Sequence, residues 1–213
     1  DIEELVSHAH LFGVRVYVTL NTIFADDQLK EAVRLCHQLG DIGVDALIIQ
    51  DVGLLECELP PIPLHSSTQM NNRTVAKVRF LEKVGFRQIV LARELALDQI
   101  RQIRAATSAV LEFFVHGALC VSYSGQCYIS EVMAGRSANR GECAQFCRHC
   151  FSVKDGRGNL VEKNRYLLSL KDLDLSDHLA SLIAAGVDSF KIEGRLKDAN
   201  YVKNVTAFYR QAL

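Results

Sequence analysis

Ala46-Leu-Ile-Ile49, running into Gln50 and Asp51, is the stretch that decides the fold. Four apolar residues in succession, with no polar alternation, describe a strand covered on both faces, as in a parallel sheet packed with helices. The same unit recurs on either side of it. Upstream, Val14-Arg-Val-Tyr-Val-Thr-Leu20 alternates and is β-branched, which predicts a strand. Between the two, Asp26 or Asp27 can cap a helix whose apolar spacing runs through Leu29, Ala32, Val33, Leu35, Cys36 and Leu39. Cys36 lies inside that pattern and reads as a buried structural thiol. Residues 1–13, with Ile2, Leu5, Val6 and Ala9 in helical spacing, read as a helix stopped at Gly13.

Downstream, Pro60-Pro61-x-Pro63 feeds a weaker strand over Leu64–Ser67, followed by a helix over 73–84 that ends at Gly85. Strands are expected at Gln88–Leu91, Leu111–Val115 and 188–192, and helices over 98–106, 176–186 and 198–212. Strand–helix alternation of this kind is the pattern of a parallel sheet covered by helices. The six strands expected here, with two more upstream, would make the eight of a TIM-type (β/α) barrel. No Gly-x-Gly-x-x-Gly follows any strand, which removes the main support for a doubly wound dinucleotide fold. The expectation is an α/β chain, 1–213, folded as a single TIM-type barrel domain that lacks its first strands. Within it, residues 117–168 form a Cys-rich insertion, in which Phe151-Ser-Val153 and Leu160–Leu168 flank the turn signal Asp155-Gly-Arg-Gly-Asn159 of a β-hairpin.

With 213 residues, 49% of them apolar, the chain can bury a full core. Its formal net charge of −1 predicts no general attraction to nucleic acid, but residues 136–171 hold eight Lys or Arg against three acids. That local excess suits a polyanion, or simply a solvated face. No apolar run approaches the ~18 residues of a membrane span, so no membrane is expected as a partner. Seven cysteines, an odd number in a chain with a substantial core, point to metal binding or catalysis in a reducing, cytoplasmic setting.

Chemistry in such folds collects where strands end. Those positions hold Asn21 and Thr22, Gln50 and Asp51, Ser67 to Gln69, Arg93 and Glu94, His116, and then Lys191, Glu193 and Arg195. Lys191 and Glu193 share one strand face, and Gly194 presents Arg195, a cluster suited to a carboxylate or phosphate, or to an inter-strand ion pair. His116 ends a strand immediately before the insertion and can carry a proton or orient a neighbour. The cysteine spacing is Cys120-x6-Cys127-x15-Cys143-x3-Cys147, with Cys150 beyond and Cys57 isolated. Structural zinc sites use two short knuckles. Only the second pair here is short, so an iron–sulfur cluster, zinc, and a reactive or paired thiol all stay open.

His116-Gly-Ala-Leu-Cys-Val-Ser-Tyr-Ser-Gly-Gln-Cys127, preceded by Leu-Glu-Phe-Phe-Val, resembles the signature of the collagenase-like peptidase family U32. The resemblance extends through Gly135-Arg-Ser-Ala-Asn-Arg-Gly-Glu-Cys-Ala-Gln-Phe-Cys147, Leu168-Ser-Leu-Lys-Asp-Leu173 and Phe190-Lys-Ile-Glu-Gly-Arg195. In detail it is most similar to the branch that hydroxylates a cytidine of 23S ribosomal RNA. Sister branches hydroxylate a tRNA uridine or the ubiquinone ring. The resemblance implies a TIM-like barrel, a [4Fe-4S] cluster held by Cys120, Cys127, Cys143 and Cys147, and hydroxylation linked to prephenate, a small carboxylate co-substrate. Arg195 and Lys191 would then bind carboxylates, with His116 and Glu193 beside them. The chain departs from the family at Arg148-His-Cys-Phe151, where Cys150 supplies an extra thiol. A peptidase is the competing reading, but no His-Glu-x-x-His is present, and His116 with Cys120 is the only obvious local pair.

Overall fold

The computed structural model describes residues 1–195 and 197–213. In chain order the elements are α1 (Ile2–Leu11), β1 (Tyr17–Leu20), α2 (Asp26–Asp41), β2 (Ala46–Ile49), β3 (Leu64–Ser66), α3 (Val75–Lys83), β4 (Gln88–Val90), α4 (Leu97–Arg104) and β5 (Val110–Gly117). The insertion contributes α5 (Ile129–Ala134), β6 (Phe151–Lys154) and β7 (Leu160–Arg165). The chain then closes with β8 (Leu173–Asp174), α6 (Leu179–Ala184), β9 (Ser189–Ile192) and α7 (Ala199–Ala212).

Strands β1, β2, β3, β4, β5 and β9 pair in that order, every pair parallel. The order never reverses, unlike that of a doubly wound sheet. Among the described residues β1 and β9 do not pair with each other, so the result is a mostly parallel α/β sheet. Alternate strand residues, among them Leu47, Ile49, Ile89, Leu111 and Phe113, join one core with Leu39, Val78, Leu81, Ile100, Ile103 and Leu182 from the helices. All four residues of β2 are buried, as its unbroken apolar run requires.

The opposite face of the sheet is polar at one level. Glu112 accepts from Lys191 Nζ (2.8 Å), from Ser189 Oγ (3.1 Å) and from the Gln88 amide, which ties β4, β5 and β9 together. His65 stands next to Gln88 in register, its ring edge-on to Tyr17 at 4.7 Å.

Three local details differ from the sequence expectation. Neither Asp26 nor Asp27 caps α2: Ala25 is the cap residue, and the Gln28 side chain reaches back to its N–H at 3.1 Å. The aspartates instead sit in the first turn, where the helix dipole favours them. Strand β8, two residues pairing antiparallel with His116 and Gly117, is too short to leave a periodic signal. The strand expected over Leu160–Leu168 ends at Arg165, and β6 and β7 form a separate two-stranded sheet. The hairpin turn is organised by Asp155, whose Oδ1 accepts from the N–H groups of Arg157 (2.8 Å) and Asn159 (2.9 Å).

Candidate functional site

The insertion begins where β5 ends, and its first residue is fixed by space. Gly117 has φ +105°, and a β-carbon there would stand 2.4 Å from the Glu193 carbonyl oxygen. Only glycine lets β5 pass so close to the end of β9. Beyond it the chain folds around a cavity of about 380 Å³. Cys120, Cys127, Cys143 and Cys147 all line it, together with Arg93, Glu193 and Arg195 from the strand ends. Cys36 is buried in the core among the apolar residues of α2, and Cys57 directs its thiol to the Gly53 carbonyl at 3.7 Å. Cys150 is exposed and does not line the cavity. Its thiol, beside the Tyr166 hydroxyl, pushes that group's pKa up.

The insertion is fastened at several points. Arg148 donates to the Leu119 carbonyl (3.0 Å), to Ser169 Oγ (2.9 Å) and to the Leu170 carbonyl, clasping the two legs of the loop. Arg140 donates to the Ile23 carbonyl (2.9 Å) and to Gln28 Oε1 (3.0 Å), anchoring the loop beyond β1. These two arginines are therefore engaged with the protein. The positive charge left on exposed hairpin and loop residues is that of Arg136, Lys154, Arg157, Lys163, Arg165 and Lys171. Ser130, fully buried in α5, accepts from Ala144 N–H at 3.1 Å and so holds the chain next to Cys143.

Burial raises the Cys147 thiol pKa; nearby Arg148 lowers it, while Cys120, Cys143 and Cys127 raise it further. Those last contributions put the other three sulfurs within electrostatic reach of Cys147. Among the described residues, however, no three Cys, His, Asp or Glu side chains lie close enough to hold one metal ion. A zinc ion bonded at ~2.3 Å would draw its thiolates to roughly 4 Å apart. The four thiols line the walls of the cavity instead.

The strand-end residues divide into two groups. Glu193 and Arg195 line the cavity: Glu193 Oε1 accepts from Arg195 N–H at 3.1 Å, and Oε2 lies 3.8 Å from Arg93. Lys191 and His116 are not among the lining residues. Lys191 is taken up by Glu112, and His116 Nδ1 lies 3.3 Å from the Tyr209 hydroxyl and 3.9 Å from Asp174. Burial and then Asp174 push the Tyr209 hydroxyl up to about 12.

Arg93 was visible in the sequence only as one polar strand end among several. In the structure its guanidinium lies over the Phe114 ring at 4.3 Å, and its Nε is buried without a partner. Its composition signal is weak because any arginine after an apolar strand looks the same. Glu94, the next residue, carries the insertion: it accepts from Ser124 N–H (3.3 Å) and Ser124 Oγ (3.1 Å).

The family described as peptidase family U32 matches residues 1–213. The chain is 61% identical over 213 residues to the 23S rRNA 5-hydroxycytidine C2501 synthase of Escherichia coli, covering all of this chain and 33% of that protein. It is 34% identical over 222 residues to tRNA hydroxylation protein P1 of Bacillus subtilis, covering 53% of it. With a protein of Porphyromonas gingivalis named collagenase it shares 34% identity over 215 residues, which is 94% of this chain and 52% of that one. The chain thus spans a third of the first relative and about half of the other two.

Proposed function

The chain belongs to peptidase family U32, and we propose that it forms the catalytic part of an RNA base hydroxylase whose target is a cytidine of 23S ribosomal RNA. What carries this reading is the meeting of Cys120, Cys127, Cys143 and Cys147 around one cavity, in a chain 61% identical to a protein named for making 5-hydroxycytidine. The four thiols would hold a [4Fe-4S] cluster, which when bound supplies electron transfer next to the substrate. Hydroxylation of a base C–H also needs an oxygen atom and a two-electron oxidant from outside the chain, and a small carboxylate such as prephenate would be the co-substrate.

Arg93, Arg148 and Arg195 line the cavity; Arg148 is engaged by Leu119, Ser169 and Leu170, so the guanidinium groups of Arg93 and Arg195 would hold the co-substrate's carboxylates. Glu193, between them, would orient both. Lys191 would act indirectly, by keeping β5 and β9 in register through Glu112, and His116 by bracing the end of β5 against α7. The unreversed strand order and the polar face opposite the helices support closure of the sheet into a TIM-type barrel in the whole protein. An enzyme acting on ribosomal RNA works in the cytoplasm, and no described helix is long and apolar enough to cross a membrane.

The test is anaerobic purification of the full-length protein with assay of iron and sulfide, alongside mass spectrometry of RNA nucleosides from a strain lacking the gene. Stoichiometric iron and sulfide, and loss of one hydroxylated cytidine, are expected. Loss of a hydroxylated uridine would move the substrate to tRNA. A metal-free protein that cleaves gelatin and leaves RNA unchanged would overturn the reading. Among the described residues no histidine hydrogen-bonds a cysteine, so the thiol–imidazole pair of a cysteine peptidase has no counterpart there.

A further inference from the structure

The turn between the first two cavity cysteines holds an aromatic ring toward solvent and fixes it there. Tyr123 lines the cavity between Cys120 and Cys127 and is 57% exposed. A ring so open adds little to the core, yet its turn is tightly fastened. The neighbouring Ser124 is buried, its hydroxyl on Glu94 at 3.1 Å and on Thr68 Oγ1 at 3.3 Å. Gly125, at φ +73°, comes so near Gln69 that a β-carbon would stand 1.9 Å from the Gln69 carbonyl oxygen. Gln126 N–H then closes the turn on the Tyr123 carbonyl at 3.0 Å. One side of the ring carries the Arg73 guanidinium, 4.5 Å from the ring centre, with Glu94 4.0 Å from that cation. The exposed area therefore belongs to the other face and the rim.

We propose that Tyr123 is the platform on which one unpaired nucleobase of the RNA stacks as it enters the cavity, an inference that rests on the hydroxylase reading. A base reaches a pocket of this kind only after leaving its own stack, at a cost that the protein must offset. A rigid tyrosine with a cation behind it offers a replacement stacking partner whose ordering entropy is already spent. The ring, rather than the hydroxyl, is the working group. Arg73 and Glu94 act on the base only through the ring they hold.

The experiment uses full-length protein with its cluster reconstituted anaerobically, and an RNA fragment spanning the target cytidine. Tyr123→Ala is expected to raise both Kd and KM about tenfold or more, with kcat less affected and iron content unchanged. Tyr123→Phe is expected to recover most of the loss. Unchanged Kd and KM in Tyr123→Ala, or an equal loss in Tyr123→Phe, would overturn the platform. A wild-type protein that binds the fragment but leaves it unmodified would defeat the hydroxylase reading, while the comparison of Kd between the two variants would still decide the platform. Absence of any binding by the wild type would overturn both.

Discussion

At the scale of single residues, six of the seven cysteines sort into three environments that the sequence spacing only partly separates, and Cys57 stands apart with its thiol on the Gly53 carbonyl. Cys120, Cys127, Cys143 and Cys147 face one cavity, Cys150 faces solvent, and Cys36 is sealed in the core. On the cluster reading, replacing any one of the four by serine should cost most of the iron and sulfide, whereas Cys150→Ser should keep both, as read by iron and sulfide assay of anaerobically purified full-length protein. Loss of iron in Cys150→Ser would make it a ligand and break the four-thiol assignment. Gly125 supplies a second residue-scale expectation. Its φ of +73° and its contact with the Gln69 carbonyl leave no room for a side chain. Gly125→Ala should destabilise the folded chain by about 1–3 kcal/mol, seen in thermal melts, and should lower iron retention because Cys127 follows two residues later. Both glycine contacts were hidden in the sequence, since closeness of two backbones distant in the chain has no local signature.

At the scale of elements, the apolar runs made the strands legible. The run at residues 46–49 became β2 with all four residues buried, and the helix spacing after residue 26 became α2. What the runs could not convey was how side chains pair across strands. Lys191 and Glu112 are nearly eighty positions apart, and the 2.8 Å ion pair between them appears only when β5 and β9 come into register. Glu112 is 6% exposed, so removing its partner leaves a buried charge uncompensated. Lys191→Met should therefore destabilise by about 3–5 kcal/mol in denaturant unfolding, and Lys191→Met with Glu112→Leu should recover most of it. A stable double variant of the full-length enzyme that still modifies RNA would assign Lys191 to the frame; a stable but inactive one would give it a direct role. The β6–β7 hairpin is an element of another kind. Residues of β7 are exposed on both faces, and an isolated hairpin is marginal in water. Its charges, Lys154, Lys163 and Arg165, are available to a polyanion. On the hydroxylase reading, neutralising them together to glutamine should lower the slope of log K for RNA against log salt by about one per charge, measured by titration across salt concentrations.

At the scale of the whole molecule, the parallel pairing followed from the repeating strand–helix pattern, although β2 and β3 are parallel with only a 3-10 turn, Val52–Glu56, between them. Much of the fastening between those units is carried by carboxylates, and that makes the fold sensitive to acid. Asp45 joins α1 to the chain entering β1, through His10 at 3.0 Å and Val16 N–H at 2.7 Å. Glu82 joins α3 to the turn before β5, accepting from Thr107 Oγ1 at 2.7 Å and from Ser108 N–H at 2.8 Å. Asp174 joins β8 to α7 through the Tyr209 hydroxyl at 3.0 Å. Each of the three has its pKa held below the ordinary carboxylate value, Asp45 chiefly by His10, Glu82 by the Ser108 and Thr107 hydroxyls, Asp174 by the Ser176 N–H. A lowered folded-state pKa means that the unfolded chain binds protons first, so stability is present above the ordinary value and lost as pH falls through the folded one. For Glu82 that window runs from its ordinary 4.5 down to about 2. The folded fraction, followed by circular dichroism in mild denaturant, should accordingly fall steeply across that range. In Glu82→Gln the neutral amide keeps the geometry but forgoes the charge, so stability at neutral pH should drop by about 1 kcal/mol and the acid slope should flatten. An unchanged slope in that variant would mean that the strain of acid is borne elsewhere, by Asp45 and Asp174.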